Sequence, residues 1–373
     1  MPRSVVGRCA WGRWTLVGTV LALGLWSFVV PEPGRAQAVA SLAVSLPTRL
    51  SDQEFWRIVE DFSEPNGFFR SENLVGNERP LQYVVPALKR RTRGGVYLGV
   101  APDQNFTYIV ALEPALAFIV DIRRGNLLEH LMYKAIIELS RDRADFLARL
   151  FSRPRPLGLD DRTSVAALIE AYLAVPASEP YYADNLQDII ACLVKTHGFG
   201  LSDDDQVALA SIYRQFYNAG PELRYSLGGA LRNMPDYAEM MTSTDLEGQP
   251  RSYLSSEEPY RWLKDFESRN LLVPVVGDFA GPKTLRSVAR YIAERGGVIN
   301  AFYTSNVEQY LFRNAVAARF YENVAALPID QQSIFLRSAM QRNVIDPIGA
   351  LLKEYSAGRL VGYMDVSSRG DVR

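Results

Sequence analysis

Two short runs of apolar and aromatic residues constrain the fold of this chain more than any other feature. Val96-Tyr97-Leu98-Gly99-Val100 and Leu116-Ala117-Phe118-Ile119-Val120 show no polar alternation, the pattern of strands buried on both faces, and the second closes on Asp121. Between them Ala101-Pro102-Asp103-Gln104-Asn105 reads as a loop, Phe106 to Leu112 as a short helix, and Pro114 as its stop. Beyond Asp121, Gly125-Asn126 opens a long helix with Leu128, Met132, Ala135, Leu139, Phe146 and Leu150 on one face. Strand, short helix, strand, long helix predicts an α/β fold with a doubly wound, Rossmann-like, mostly parallel sheet.

The alternation returns near the C-terminus. Leu271 to Val276 is strand, Gly277-Asp278-Phe279-Ala280-Gly281 is turn, and Pro282 marks a helix start whose apolar face is Leu285, Val288, Ala289 and Ile292. Val298 to Tyr303 is the next strand, followed by a helix from Val307 to Ala326 and a strand at Ser333 to Leu336. Pro274 cannot donate to a ladder, so its strand is expected at an edge or a bulge. Ahead of this core, about residues 50–92, Ser51 and Glu54 form a capping-box pattern before Phe55, Ile58 and Phe62, and Pro86 is expected to kink or end a second helix through Leu81 to Leu88. About residues 155–257 offer helices without strands, including one opened by Ser202 and three Asp, and read as a helical insertion within a single domain spanning 39–373.

The first 38 residues have the three parts of a secretory signal. Arg3, Arg8 and Arg13 precede the apolar run Thr15 to Val30, and Arg35-Ala36-Gln37-Ala38 supplies small residues for cleavage after Ala38. Sec-type export to the periplasm or exterior is expected, with an uncleaved membrane anchor as the alternative, although the run is shorter than the ~20 residues of a usual span. Cleavage removes four Arg and one Glu, so 41 basic and 42 acidic residues become 37 and 41. Nothing there suggests a nucleic-acid surface. It also removes Cys9, leaving Cys192 alone in an apolar stretch, where a small core side chain is the expected role. His130 and His197 are the only histidines and have no ligand-spaced partners, so no metal site is expected and structural roles are assigned to both.

Open parallel sheets bind ligands outside the carboxyl ends of their strands. That rule selects Gly99, Asp103, Gln104 and Asn105 after the first strand, Asp121 after the second, Asp278 after the third, and Tyr303 and Asn306 after the fourth. Asp121 follows Gly99 by twenty-two positions, the spacing at which dinucleotide folds place a carboxylate on ribose. No glycine lies between Gly99 and Gly125, so the pyrophosphate turn of NAD and FAD sites is missing. Asp103, Gln104 and Asn105 fit equally an Asx-type turn that caps the next helix. The loop Asn66 to Glu78 concentrates Asn, Glu and Arg among aromatics, and Arg70, Glu72, Asn73 and Glu78 are candidates to line the same cleft.

In the run Val96 to Ala135, in Val275 to Ala280 and in Val298 to Leu311, the chain resembles the class I S-adenosylmethionine-dependent methyltransferase fold. As a whole it looks like an uncharacterised bacterial exported family with a degenerate methyltransferase-like core. The resemblance implies Gly99 beside the methionine part of the cofactor, Asp121 on the ribose, Asp278 beside the adenine, and Tyr303 and Asn306 towards a methyl acceptor. Val100-Ala101-Pro102 replaces the small residues of that family's glycine loop, and export removes a protein from cytoplasmic S-adenosylmethionine. The expectation is therefore an exported small-molecule-binding protein with catalysis unassigned. An active methyltransferase and a non-enzymatic cell-envelope interaction protein are the alternatives.

Overall fold

In the computed structural model the sheet runs β3-β2-β1-β4-β5-β6-β7, six strands continued by a two-residue edge strand. Residues 45–91, 93–225, 234–339 and 342–372 are described, so the expected export segment and its cleavage point at Ala38 lie outside the described residues. The strands are β1 (Val96–Gly99), β2 (Leu116–Asp121), β3 (Leu272–Val276), β4 (Ile299–Ser305), β5 (Ile334–Ala339), β6 (Arg342–Pro347) and β7 (Asp371–Val372). The first five pair in parallel. A hairpin then turns β6 antiparallel to β5. The sheet is therefore α/β and mostly parallel, consistent with a Rossmann-like fold. β6 carries no strong apolar run and went unpredicted.

Every residue of β1, β2 and β3 is buried, which requires cover on both faces. Phe118 of β2 lies 6.2 Å from Phe62 and 6.1 Å from Tyr291, so the helices Asp52–Phe62 and Thr284–Ala293 meet over it. β3 occupies the sheet edge, which is how Pro274 is accommodated. The order of strands reverses between β1 and β4, whose connections run in opposite directions along the sheet. Such a reversal opens a crevice at the carboxyl ends.

Several helices are shorter than their apolar periodicity predicts. The long helix after Asp121 is two, Arg124–Leu139 and Arg143–Leu150, because Asp142 caps a new start by accepting from the Asp145 N–H. The helix expected over Val307 to Ala326 is also two, Val307–Arg313 and Ala317–Ala325, with Ala315 at φ 56° between them. Pro86 starts the helix Val85–Lys89 rather than ending one, its missing N–H falling in the first turn. The stretch 155–225 is helical, as its sequence predicts, with Asp203–Ala219 opened by a Ser202–Asp205 capping box. Aromatic contacts seat the following segment on the core, Tyr253 at 5.3 Å from Phe106 and Tyr260 at 5.6 Å from Phe146. Among the described residues no helix is long and apolar enough to cross a membrane.

Candidate functional site

A cavity of about 340 Å³ opens at the carboxyl ends of β1 to β4. Its wall brings together Asp121, Asp278, Asn306, Arg70 and Asn73 of the residues selected from sequence, and adds Arg123, Ser305, Tyr310 and Arg313. Phe68, Phe69, Phe279, Val100 and Leu311 supply apolar surface. The loop is tied in at both ends. Asn66 accepts from the Arg124 N–H at 2.8 Å, Gly67 donates to the Ile122 carbonyl at 2.8 Å, and Glu78 accepts from Tyr303 and Ser305 at 2.5 and 2.6 Å. A second cavity, about 550 Å³, lies against the same loop and is lined by Phe68 to Leu74, including Glu72, and by Ser211, Ile212 and Gln215.

Three wall residues hold left-handed backbone without being glycine: Asn73 at φ 51°, Ala101 at φ 70° and Ser305 at φ 49°. Such conformations cost of order 1–3 kcal/mol and persist only where surrounding contacts impose them. At Ala101 those contacts are visible. Asn105 donates to the carbonyls of Val100, Ala101 and Pro102 at 2.9, 3.0 and 2.7 Å while accepting from the Tyr97 hydroxyl at 2.8 Å. The His130 Nε2 lies 3.0 Å from the same Ala101 carbonyl, a geometry that makes Nε2 the protonated nitrogen. Burial holds that imidazole down to about 4, so it stays neutral.

Gly99, Asp103, Gln104, Asn105 and Tyr303 sit beneath the wall rather than in it. A Cβ on Gly99 would strike the Asn105 carboxamide and the Tyr97 ring. Gln104 donates to the Tyr303 hydroxyl at 2.9 Å, and Tyr303 donates to Glu78. Burial raises Glu78, with the hydroxyls of Ser305, Tyr303 and Ser338 pulling the other way. Burial likewise pushes Asp103 up to about 7, against hydrogen bonds from Tyr253 and the Gly76 backbone. Glu129, which its sequence context did not single out, is fully buried with neither carboxylate oxygen hydrogen-bonded, and burial drives it well above the usual carboxylate range.

Asp121 accepts at Oδ1 from the Arg123 Nε at 3.2 Å and from its backbone N–H at 2.9 Å, and at Oδ2 from Nη2 at 3.2 Å. Asp278 accepts from the Ala280 N–H at 2.9 Å, an Asx turn at the end of β3. The two residues that the methyltransferase resemblance offers first to S-adenosylmethionine are thus engaged by the protein itself, Gly99 under Asn105 and Asp121 on Arg123. The wall does not assemble a metal-binding group. Among the described residues the one group of three suitable side chains is Glu138, Cys192 and His197, none of which lines the cavity. Separations of 54 and 5 positions give no recognisable ligand spacing.

The Rossmann-like sheet and the crevice at its switch point define an α/β protein with a small-molecule-sized cleft. Residues 74–356 match the family described as Domain of unknown function (DUF7790), and the chain belongs to that family. No curated protein matches it.

Proposed function

We propose that this is an exported small-molecule-binding protein whose ligand occupies the cleft at the carboxyl ends of β1 to β4 and carries an anionic group on an apolar or aromatic body. One observation carries the reading. In a wall where Arg123 is neutralised by Asp121, Arg70 and Arg313 face the space beside Phe68, Phe69 and Tyr310 with only Asp278 as a further carboxylate. The Arg313 guanidinium lies 4.8 Å over the Tyr310 ring, and Phe69 meets that ring edge-on at 5.3 Å. Guanidinium groups bind carboxylate and phosphate through paired N–H donors, and the rings offer a stacking surface. The volume suits a small organic ligand.

The strand order supports a methyltransferase-like origin for the core, whereas the engagement of Gly99 and Asp121 argues against use of that family's cofactor. Native mass spectrometry of the gently purified full chain tests the reading, together with N-terminal sequencing for cleavage after Ala38. A retained organic anion, released by denaturation, is expected. No retained mass, with no thermal shift across a panel of aromatic carboxylates and phosphates, would remove this function.

A further inference from the structure

We propose that Glu138, Cys192 and His197 form a binding site for a divalent transition metal of the Zn²⁺ type. The donor atoms of all three lie within 4.8 Å of one another, with Glu138 Oε2 at 2.6 Å from His197 Nε2 and 3.8 Å from Cys192 Sγ. One thiolate, one imidazole and one carboxylate suit Zn²⁺ and not the oxygen-seeking Mg²⁺ or Ca²⁺. Metal–donor bonds of about 2.0 to 2.3 Å in a tetrahedron place donors roughly 3.3 to 3.7 Å apart, so the Glu138–His197 pair has to open while Glu138 and Cys192 already lie near that spacing. A fourth position remains for water.

The chain makes two local departures that favour this use. The helix Glu179–Ala191 runs into a single π turn, Cys192–Thr196, in which the His197 N–H donates to the Cys192 carbonyl at 3.0 Å. The turn brings the two side chains together five residues apart, and π turns recur at functional sites. On its other nitrogen His197 meets Asp52 Oδ1 at 2.7 Å, and Asn270 Nδ2 fixes that carboxylate oxygen at 2.8 Å. A carboxylate on Nδ1 orients the ring and leaves Nε2 as the ligand, as in carboxylate–histidine–zinc groupings.

Neighbouring charges leave one carboxylate oxygen of Glu138 to the ion. The two imidazole nitrogens of His197 face Asp52 and Glu138 Oε2, whereas the Lys134 ammonium sits 2.7 Å from the other oxygen, Glu138 Oε1. Lys264 donates to the Glu138 backbone carbonyl at 2.8 Å.

Titrating the chelator-treated full chain with Co²⁺ tests the site. One equivalent is expected to bind with the visible bands of tetrahedral cobalt and a sulfur-to-cobalt charge-transfer band in the near ultraviolet. Cys192→Ser should abolish the charge-transfer band, and Asp52→Asn should weaken binding by roughly tenfold to a hundredfold. A variant that misfolds is recognised by circular dichroism. X-ray absorption of the zinc-loaded wild type then decides, one sulfur at about 2.3 Å being required. Absence of Co²⁺ binding, a band indifferent to Cys192→Ser, or a zinc shell without sulfur overturns the proposal.

Discussion

Asp121 and Arg123 close on each other across two positions of the turn after β2, carboxylate to guanidinium through two 3.2 Å contacts at the wall of the cleft. Both side chains are less than a tenth exposed. Removing one member of such a pair leaves the other charge buried and unmatched, typically at 3–5 kcal/mol. Asp121→Asn is therefore expected to lower stability by about 3 kcal/mol in urea unfolding, and Asp121→Asn with Arg123→Met by clearly less. A double-variant loss equal to the sum of the losses in Asp121→Asn and Arg123→Met alone would show that the pair is not coupled.

Asn105, expected in a loop, lies in the first turn of the helix Gln104–Leu112 and is expected to matter for stability. Its carboxamide ties three successive carbonyls and the Tyr97 hydroxyl, and it helps hold Ala101 in left-handed backbone. Asn105→Ala takes the amide from the buried Tyr97 hydroxyl and Val100 carbonyl, each worth about 1–3 kcal/mol, while the Ala101 carbonyl keeps His130 and the Pro102 carbonyl keeps the backbone N–H of residue 105. A loss of about 3 kcal/mol or more is expected by chemical denaturation. A loss below about 1 kcal/mol would mean that water replaces the amide.

These two residues also show what can be read from the chain before its structure. The strand ends were legible because uninterrupted apolar runs set the sheet, and the sheet sets where the cleft opens. Asp121, Asp278 and Asn306 follow from that rule alone, and the loop brings Arg70 and Asn73 to the same wall. The direction in which a polar side chain turns was not legible. Asp103, Gln104 and Asn105 look like ligand donors in sequence, yet they turn to partners inside the protein: Asn105 donates to the carbonyls of Val100, Ala101 and Pro102 just beyond β1, Gln104 donates to the Tyr303 hydroxyl, and Asp103 accepts from the Tyr253 hydroxyl. Arg123 was missed because a charge two residues from Asp121 has no periodic signature. The pairing of Arg337 with Glu308 and Asp346, all buried, spans β5, β6 and a helix and has none either. Helix breaks at Ser140 and Ala315 were lost because apolar periodicity continues through them.

Asp103 gives a pH-dependent stability of defined sign. Its carboxyl ionises near 3.8 when unfolded and near 7 when folded, burial being the main cause. The folded state thus binds the extra proton between those values. Its contribution is fully present below pH about 4 and is lost as pH rises to about 7, at about 1.4 kcal/mol per pH unit. His130, held down to about 4, acts in the opposite sense, losing stability as pH falls below about 6.5. Comparing Asp103→Asn with wild type cancels the histidine. The variant is expected to gain up to about 4 kcal/mol relative to wild type between pH 4 and 8, measured by urea unfolding across that range. A difference independent of pH would mean that Asp103 titrates normally.

Arg70 and Arg313 separate binding from folding. Both are exposed at the rim of the cleft, and neither holds an ion pair among the described residues, so alanine at either position should change stability by no more than about 0.5 kcal/mol. If an anionic group of the ligand lies between them, each substitution should lower occupancy of the retained ligand by roughly tenfold or more, since a charge-assisted hydrogen bond contributes about 1.5–3 kcal/mol. Arg313→Lys should recover only part, because a point charge replaces a planar fork. Native mass spectra of wild type and variants purified in parallel give the occupancies. Undiminished ligand in the double alanine variant would place the anion elsewhere and leave the aromatic wall as the recognition surface.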